Sequence, residues 1–308
     1  MDESRTPLTG LLDWCQAILG PLQLISDSSR EHPGQRTGAL RLRAESGDYY
    51  LKIHREQAGW HNEVHAYRAW ASAFGGFAPR LLAAHDAEPL ALLLSALPGR
   101  ILEEVRLPAA QELAVWRRAG EALAALHTCA AGDFFGPCLR DGSPAGKRLT
   151  AAQAYVGAEL EGWLERGMRA GCLTGDEMVL VERARGLLAA FAGERPLPCH
   201  RDYGPANWLV DGDGRWAGVI DFEFAHWDVR VADFTRYPNW EWLLRPALTE
   251  AFDAGYGHVF SHAEEAQRLL GHILYALAAV VWGAENQYHG FAAEGRQALA
   301  RLAEMVDA

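Results

Sequence analysis

The sequence predicts an α+β fold of two lobes, in which an N-terminal lobe with an antiparallel sheet and one helix precedes a mainly helical C-terminal lobe. Strand-like runs cluster before Leu97, helical periodicity dominates after Gly99, and Leu97-Pro98-Gly99 interrupts both patterns. We therefore expect residues 1–97 to form one lobe and residues 98–308 the other. A chain of 308 residues is long enough for two lobes that share a cleft.

The first lobe should contain five strands and a long helix after a short amphipathic helix at Thr9–Leu19. The long helix spans Gln57–Phe74, carries its large apolar residues on one stripe, and ends at Gly75-Gly76. Ser46-Gly47-Asp48 is typical of a hairpin turn between two of the strands. The predicted strands are Leu22–Ser26, Ala39–Ala44, Tyr49–His54, Arg80–Ala84 and Leu90–Ala96.

The second lobe should be helical apart from a β-rich island at Leu197–Phe224. The island contains a predicted hairpin, with strands at Trp208–Asp211 and Trp216–Asp221. The predicted helices are Ala109–His127, Ala151–Ala170, Asp176–Ala192, Trp240–Phe260, Ala263–Trp282 and Phe291–Val306.

The charge balance excludes one class of partner. The formal net charge is −11, so we expect no nucleic acid to bind through bulk charge, because phosphate backbones attract Lys and Arg. An acidic excess favours solubility and can attract a cationic substrate.

Composition also favours a cytoplasmic protein without membrane contact. The N-terminus lacks a secretory pattern, and the longest apolar run, Ile273–Val281, is shorter than a membrane span. The five cysteines are odd in number and form no C-x-x-C, which indicates reduced thiols.

The segment that carries the chemistry runs from Cys199 to Glu223. Asp202 and Asn207 are separated by an irregular turn with Gly204-Pro205, and Asp221 ends the returning strand of the hairpin. This geometry predicts that Asp202, Asn207 and Asp221 meet at one end of the hairpin. Phosphoryl transfer requires such a group, because Mg²⁺ takes oxygen ligands and a carboxylate can accept the proton of an attacking hydroxyl.

The same residues resemble those of the aminoglycoside phosphotransferase and choline kinase family, which has a protein-kinase-like fold. The resemblance rests on the H-x-D-x-x-x-x-N loop at His200–Asn207 and on Ile220-Asp221-Phe222-Glu223. Leu126-His127 and Asp233 match weaker family features. The resemblance implies that Asp202 is the catalytic base, that Asn207 and Asp221 bind Mg²⁺, and that ATP or GTP donates the phosphoryl group. We expect Asp233 to accept hydrogen bonds from loop amides.

Two departures from protein kinases favour a small-molecule acceptor. Phe222-Glu223 follows the metal aspartate where protein kinases have Phe-Gly, and no A-P-E segment or long activation loop follows. Arg201, in contrast, matches protein kinases more closely than antibiotic kinases.

The nucleotide should bind to the first lobe. Lys52 lies on the third strand and Glu63 on the next helix, which resembles the lysine and glutamate pair that holds the α- and β-phosphates in this fold. Gly34 and Gly38 could bring backbone amides to the phosphates, although an ordinary hairpin loop explains them nearly as well. We expect the nucleotide base to lie near Ser95 and Leu97.

The acceptor should face Asp202 from the helical lobe. Aromatic faces with carboxylates suit a cationic ligand such as an amino sugar, although most of these tryptophans fit a hydrophobic core equally well. The candidate acceptor residues are Glu223, Trp240, Glu241 and Glu285.

Two further metal patterns have simpler interpretations. His61 and His65 are spaced to bind zinc from one helix face, but the H-E-x-x-H order is absent. Asp211-Gly212-Asp213-Gly214 resembles the start of a calcium loop but lacks the closing glutamate, so we predict a hairpin turn.

The sequence leaves several functions open. The first is a kinase for a hydroxyl of a small molecule, such as an aminoglycoside-like antibiotic, an amino sugar or a metabolite. The others are a kinase for Ser or Thr of a peptide in a biosynthetic pathway, a non-catalytic nucleotide-binding scaffold, and a nucleotidyl-transfer variant.

Overall fold

The N-terminal lobe is built on a five-stranded antiparallel sheet, which confirms the predicted fold class. The computed structural model describes residues 5–27, 37–235 and 245–306. The strand order is β1-β2-β3-β5-β4, so β1 and β4 form the two edges. The five strands are β1 (Leu22–Asp27), β2 (Thr37–Ala44), β3 (Gly47–His54), β4 (Leu81–His85) and β5 (Ala91–Ser95).

Two helices cover opposite faces of this sheet. Helix α1 (Arg5–Leu19) buries Leu11 and Cys15 against one face, and α2 (Gln57–Ala69) buries Trp60 and Val64 against the other. Because side chains alternate along a strand, β5 serves both cores. Leu92 packs on the α2 side and Leu93 on the α1 side.

The helix predicted at Gln57–Phe74 is wrong in its last turn. Helix α2 ends at Ala69, and a short 3-10 helix at Ala71–Phe74 follows a break at Trp70, whose φ is −121°. The indole of Trp70 is buried, with its ring centroid 4.9 Å from that of Trp227 in the second lobe. The break in the helix therefore coincides with packing of Trp70 against the second lobe. The local sequence pattern does not reveal this long-range contact.

Six helices follow in the described part of the second lobe. Four of them, α4, α5, α7 and α8, enclose one large core. The helix predicted at Asp176–Ala192 is shorter than expected, because a 3-10 helix at Arg185–Phe191 replaces its second half. The first residues of the helix predicted at Trp240–Phe260 lie outside the described residues. The helices are α3 (Ala109–Thr128), α4 (Ala152–Ala170), α5 (Gly175–Ala184), α6 (Pro246–Tyr256), α7 (His262–Glu285) and α8 (His289–Val306).

None of the helices within the described ranges combines the length and apolar character needed to cross a membrane.

Two small sheets form the β-rich island. Strands β8 (Trp208–Val210) and β9 (Trp216–Val219) make the predicted hairpin, and the short β6 (Arg100–Ile101) pairs with β8. Strand β7 (Leu197–Cys199) pairs with β10 (His226–Asp228). The sequence analysis missed β6 and β10, since two or three residues are too few to show a strand period. Asp211 forms the predicted hairpin turn by accepting the amides of Asp213 and Arg215, each at 2.9 Å.

A backbone hydrogen bond joins the first lobe to the strand that precedes Asp221, and the close approach requires a glycine beside it. The Val219 amide donates to the Phe77 carbonyl at 2.8 Å. The preceding residue, Gly218, has a φ of +143°, and a Cβ there would lie 2.4 Å from the Phe77 oxygen. Only glycine combines this backbone conformation with so close an approach.

Close helix packing gives a stability prediction. A Cβ at Gly120 of α3 would lie 2.1 Å from the Phe252 carbonyl oxygen of α6. We expect Gly120→Ala to lower the free energy of unfolding by about 1–3 kcal/mol, because backbone must move to admit the methyl group. The matched control is Gly162→Ala in α4, where a Cβ meets nothing within 4 Å. There the helix should gain about 0.5–1 kcal/mol. Urea unfolding measures both, and equal effects would contradict the packing argument.

Candidate active site

Asp202, Asn207 and Asp221 meet at one end of the β8–β9 hairpin. The side-chain amide of Asn207 donates to both the backbone oxygen and the Oδ2 of Asp202, each at 2.9 Å. The Ile220 amide donates to the Asn207 carbonyl at 3.0 Å, which places Asp221 directly beside Asn207. The structure therefore brings together the three side chains that the sequence analysis selected.

His200 links the loop that carries Asp202 to the strand that carries Asp221. Its Nδ1 accepts the Asp202 amide at 3.3 Å, and its Nε2 lies 3.1 Å from the Ile220 carbonyl. These partners require a neutral ring with its proton on Nε2. Asp221 itself has a φ of +68°, a left-handed conformation that is uncommon for a residue with a side chain.

Asp233 anchors the loop from beneath, as the sequence predicted. Its carboxylate is fully buried and accepts the amides of His200 at 2.9 Å and Arg201 at 2.5 Å. His127 at the end of α3 adds a third contact at 2.9 Å. Burial alone would raise the pKa of Asp233, but the hydrogen bond and charge of His127 and the loop amides hold it below its ordinary value.

Arg201 ties the same loop to α4 and β10. Its guanidinium lies 3.0 Å from Glu159, 2.9 Å from Asp228 and 2.7 Å from the Nε2 of His226. Its φ is +63°, so two residues of this site, Arg201 and Asp221, adopt left-handed backbone. Burial would lower the pKa of Arg201, yet the nearby carboxylates raise it, so the group stays charged.

Lys52 faces the hairpin from β3, as strand alternation indicated. Its Nζ lies 2.8 Å from Glu63 of α2 and 2.7 Å from Asp221. Glu223 approaches it to 3.6 Å. Burial would lower the pKa of Lys52, but the charges of these carboxylates raise it well above its usual value. The lysine is therefore a fixed cation at the junction of the two lobes.

His54 also contacts Glu63, which the sequence analysis missed. Its Nε2 lies 2.8 Å from the same Glu63 oxygen that pairs with Lys52. His54 is two residues from Lys52 on one strand, so alternation along β3 places both side chains on one face and could have revealed it.

The site carries more negative charge than Lys52 can neutralise. Three carboxylates, those of Glu63, Asp221 and Glu223, surround the one lysine. Burial, followed by the charge of Asp221, raises the pKa of Glu223 to about 7. A cavity of about 190 Å³, lined by Glu223, His54 and His226 among others, adjoins the group. Such a field favours a divalent cation.

The donor set fits magnesium. Asp221 offers carboxylate oxygens on a side chain that is 32% exposed, and the Asn207 Oδ1 is left for a ligand because its Nδ2 donates to Asp202. Mg²⁺ is bound by one or two such groups together with phosphates and water.

The other metal patterns lie elsewhere. His61 Nδ1 accepts the Arg140 amide at 3.2 Å, and the His65 ring packs on Trp70. Within the described ranges, the group with metal-ligand spacing consists of His127, Cys199 and Asp233, all buried. Their hydrogen bonds anchor the loop that carries Asp202, which gives them a structural role.

Some of the remaining candidate residues lie near Lys52 or in the connector between the lobes, and others do not. Gly38 pairs with Ile53 on β3, next to Lys52, and Ser95 ends β5 with its hydroxyl accepting the Arg80 amide at 2.9 Å. Leu97 follows in the connector and is half-buried. Glu285 forms a surface ion pair with Arg166 of α4 at 2.5 Å. Gly34, Trp240 and Glu241 lie outside the described residues.

This fold and site together define a kinase-type phosphotransferase, an enzyme that moves a phosphoryl group to an alcohol acceptor. The chain belongs to the phosphotransferase enzyme family (APH), whose family model matches residues 32–270. No curated protein sequence matches the chain.

Solved structures share the whole fold with this chain. Aminoglycoside phosphotransferase APH(4)-Ia has a TM-score of 0.72 at 18% identity, over 96% of this chain and 98% of that one. A thermostable mutant of it, in ternary complex with ADP and hygromycin B, has a TM-score of 0.72 at 17% identity, over 97% and 98%. The GDP and kanamycin complex of APH(2")-IIIa has a TM-score of 0.69 at 15% identity, over 95% and 98%. Likeness at these identities establishes the fold.

The buried Asp233 gives a prediction about stability and pH. An asparagine at 233 would turn an N–H group toward the amides that the carboxylate now accepts. We expect Asp233→Asn to lower the free energy of unfolding at pH 7 by about 2–4 kcal/mol. Because the folded pKa of Asp233 is lowered, its contribution is present above the ordinary pKa of about 3.9 and is lost as pH falls toward the folded pKa.

The difference between wild type and Asp233→Asn should therefore shrink on acidification from about pH 6 to about pH 3. Urea unfolding across this range measures it, with Asp213→Asn as the control because Asp213 lies exposed in the hairpin turn. A difference that stays constant with pH would contradict the assignment.

Proposed function

We propose that this chain transfers the γ-phosphoryl group of ATP or GTP, with Mg²⁺, to a hydroxyl of a small molecule. The acceptor class is an aminoglycoside-like antibiotic, an amino sugar or a metabolite. The observation that carries the proposal is the meeting of Asp202, Asn207 and Asp221 beside the Lys52–Glu63 ion pair. Solved relatives of the same fold bind ADP or GDP together with an aminoglycoside, which supports it.

Each residue then has a defined task. Asp202 orients the acceptor hydroxyl and takes its proton. Asp221 and Asn207 hold Mg²⁺, which neutralises charge on the phosphates. Lys52 binds the α- and β-phosphates, and Glu63 fixes its direction. Residues 1–97 would form the nucleotide-binding lobe and residues 98–308 the lobe with the catalytic loop and the acceptor site.

The connector between the lobes offers a backbone hydrogen-bond donor to the nucleotide base, which supports the position proposed for it. The Ala96 amide already donates to the Asp48 carbonyl at 3.0 Å, and Pro98 has no N–H group. The Leu97 amide makes no hydrogen bond with the described part of the chain, so it is the donor offered to a base. Gly34 and Gly38 remain candidates for bringing backbone amides to the phosphates, and Gly38 pairs with Ile53, the residue after Lys52.

The charge distribution supports a cationic acceptor. The chain has a net charge of −11, and Glu223 remains a candidate contact because it lies beside Asp221. Trp240, Glu241 and Glu285 remain candidates on the helical side. All five cysteines are free, which is in keeping with a cytoplasmic enzyme, and an antibiotic acceptor would make it a resistance enzyme.

A screen for Mg²⁺-dependent ADP or GDP release tests the acceptor class. Panels of aminoglycosides, amino sugars and Ser/Thr peptides separate small-molecule from peptide acceptors. Mass spectrometry of the product should show an added phosphoryl group; an added nucleotide would contradict the proposed reaction.

The catalytic base gives a prediction about turnover. Asp202→Asn should retain folding and nucleotide binding but lose about 10²–10⁴-fold in kcat, because a positioned base contributes that much. Steady-state kinetics measures the loss, with Asp213→Asn as a carboxylate control on the same hairpin. Unchanged turnover in Asp202→Asn would remove this residue from the mechanism.

The metal site gives a prediction about binding. Calorimetry should show that the wild type binds ATP or GTP more tightly with Mg²⁺ than with EDTA. Asp221→Ala should lose most of that Mg²⁺-dependent gain, whereas Asp213→Asn should keep it. A variant at 221 that still responds fully to Mg²⁺ would place the metal elsewhere.

A further inference from the structure

A cavity of the first lobe lies outside the candidate active site. It is a groove of about 620 Å³ between the end of α2 and strand β4. The consecutive residues Arg80–Ala84 line one wall, and Arg68 and Ser72 line the other. Gly75 and Gly76 also line it. Neither Lys52 nor the hairpin of Asp221 borders it.

The groove runs along a free sheet edge. Strand β4 ends the strand order and pairs only with β5 among the described strands. Leu81 and Ala84 pack toward the core under α2, whereas Leu82 and Ala83 pack toward the core under α1. The cavity therefore touches consecutive residues whose side chains lie on opposite faces of the sheet. This indicates that it runs along the backbone at the outer edge of β4. The N–H and C=O groups that point away from β5 there are open to a further strand.

The groove is also positively charged in an acidic protein. Arg68 and Arg80 line it, both are exposed, and neither guanidinium forms an ion pair with a described residue. No aspartate or glutamate is among the lining residues. The chain as a whole has a net charge of −11, so this local excess of cations stands out from the surrounding field.

We propose that this groove binds an extended peptide segment of a partner protein that carries acidic side chains, as an added strand beside β4. Main-chain hydrogen bonds to the free edge supply affinity, and the pockets and charges along the groove select alternate side chains. Five residues of extended chain span about 17 Å, so the wall at Arg80–Ala84 accommodates a segment of similar length. The proposal stands apart from the proposed catalytic function.

A simpler explanation makes a different prediction. Proteins protect sheet edges with charged residues and bulges. Strand β4 has both, since Arg80 directly precedes its first residue and a bulge lies between Leu81 and Ala83. An edge that is only protected binds no strand, so direct binding separates the two explanations.

Fluorescence anisotropy with a labelled peptide of alternating glutamate and valine tests the proposal. We expect saturable binding below about 1 mM and at least about tenfold weaker binding of the matching lysine and valine peptide. N-methylation of alternate amides should weaken binding about tenfold when it removes the N–H groups that face β4, and less when it removes those that face solvent.

Variants of the protein complete the test. The double variant Arg68→Ser, Arg80→Ser should bind the acidic peptide at least about tenfold more weakly. The control Arg169→Ser, Arg195→Ser removes the same charge from exposed arginines outside the groove and should bind normally. Urea unfolding curves that match those of the wild type verify that both double variants fold. Absence of peptide binding, equal binding of the basic peptide, or equal loss in both double variants would overturn the proposal.

Discussion

The hydrogen bonds between the buried Asp233 and the amides of His200 and Arg201 support the rest of the site. They hold the backbone where Arg201 adopts a left-handed conformation, and the next residue is Asp202. Because the carboxylate is inaccessible to water, those amides are its partners, and losing one costs free energy. The position of the proposed base is thus set by an interaction that lies beneath the cleft.

A second set of contacts relates the two lobes. Lys52 of the sheet pairs with Asp221 of the hairpin, and the Val219 amide two residues before Asp221 bonds to Phe77 of the first lobe. Glu63 is held by Lys52 and His54 through one oxygen, and its other oxygen accepts the Phe222 amide at 3.3 Å. Lys52 and Asp221, the proposed phosphate-binding cation and the proposed metal ligand, are therefore held against each other, an arrangement that would reduce the reorganisation needed for transfer.

Much of this arrangement could be predicted from the sequence, and the reasons are local. Side-chain alternation along β3 predicted which face of the sheet carries Lys52. The turn residues at Asp211 predicted the hairpin that brings Asn207 close to Asp221. The break at Trp70, the strand at His226–Asp228 and the contacts of Arg201 with Glu159 could not be predicted, because each depends on a partner distant in the chain. Long-range packing overrides local propensity at such positions.

The most direct measurement of the central claim is a crystal structure of the protein with Mg²⁺ and a non-hydrolysable nucleoside triphosphate. Our account predicts a metal ion coordinated by Asp221 and by the Asn207 Oδ1, with Lys52 against the α- and β-phosphates and Asp202 facing the γ-phosphate. A metal–nucleotide complex that binds away from these side chains would contradict it.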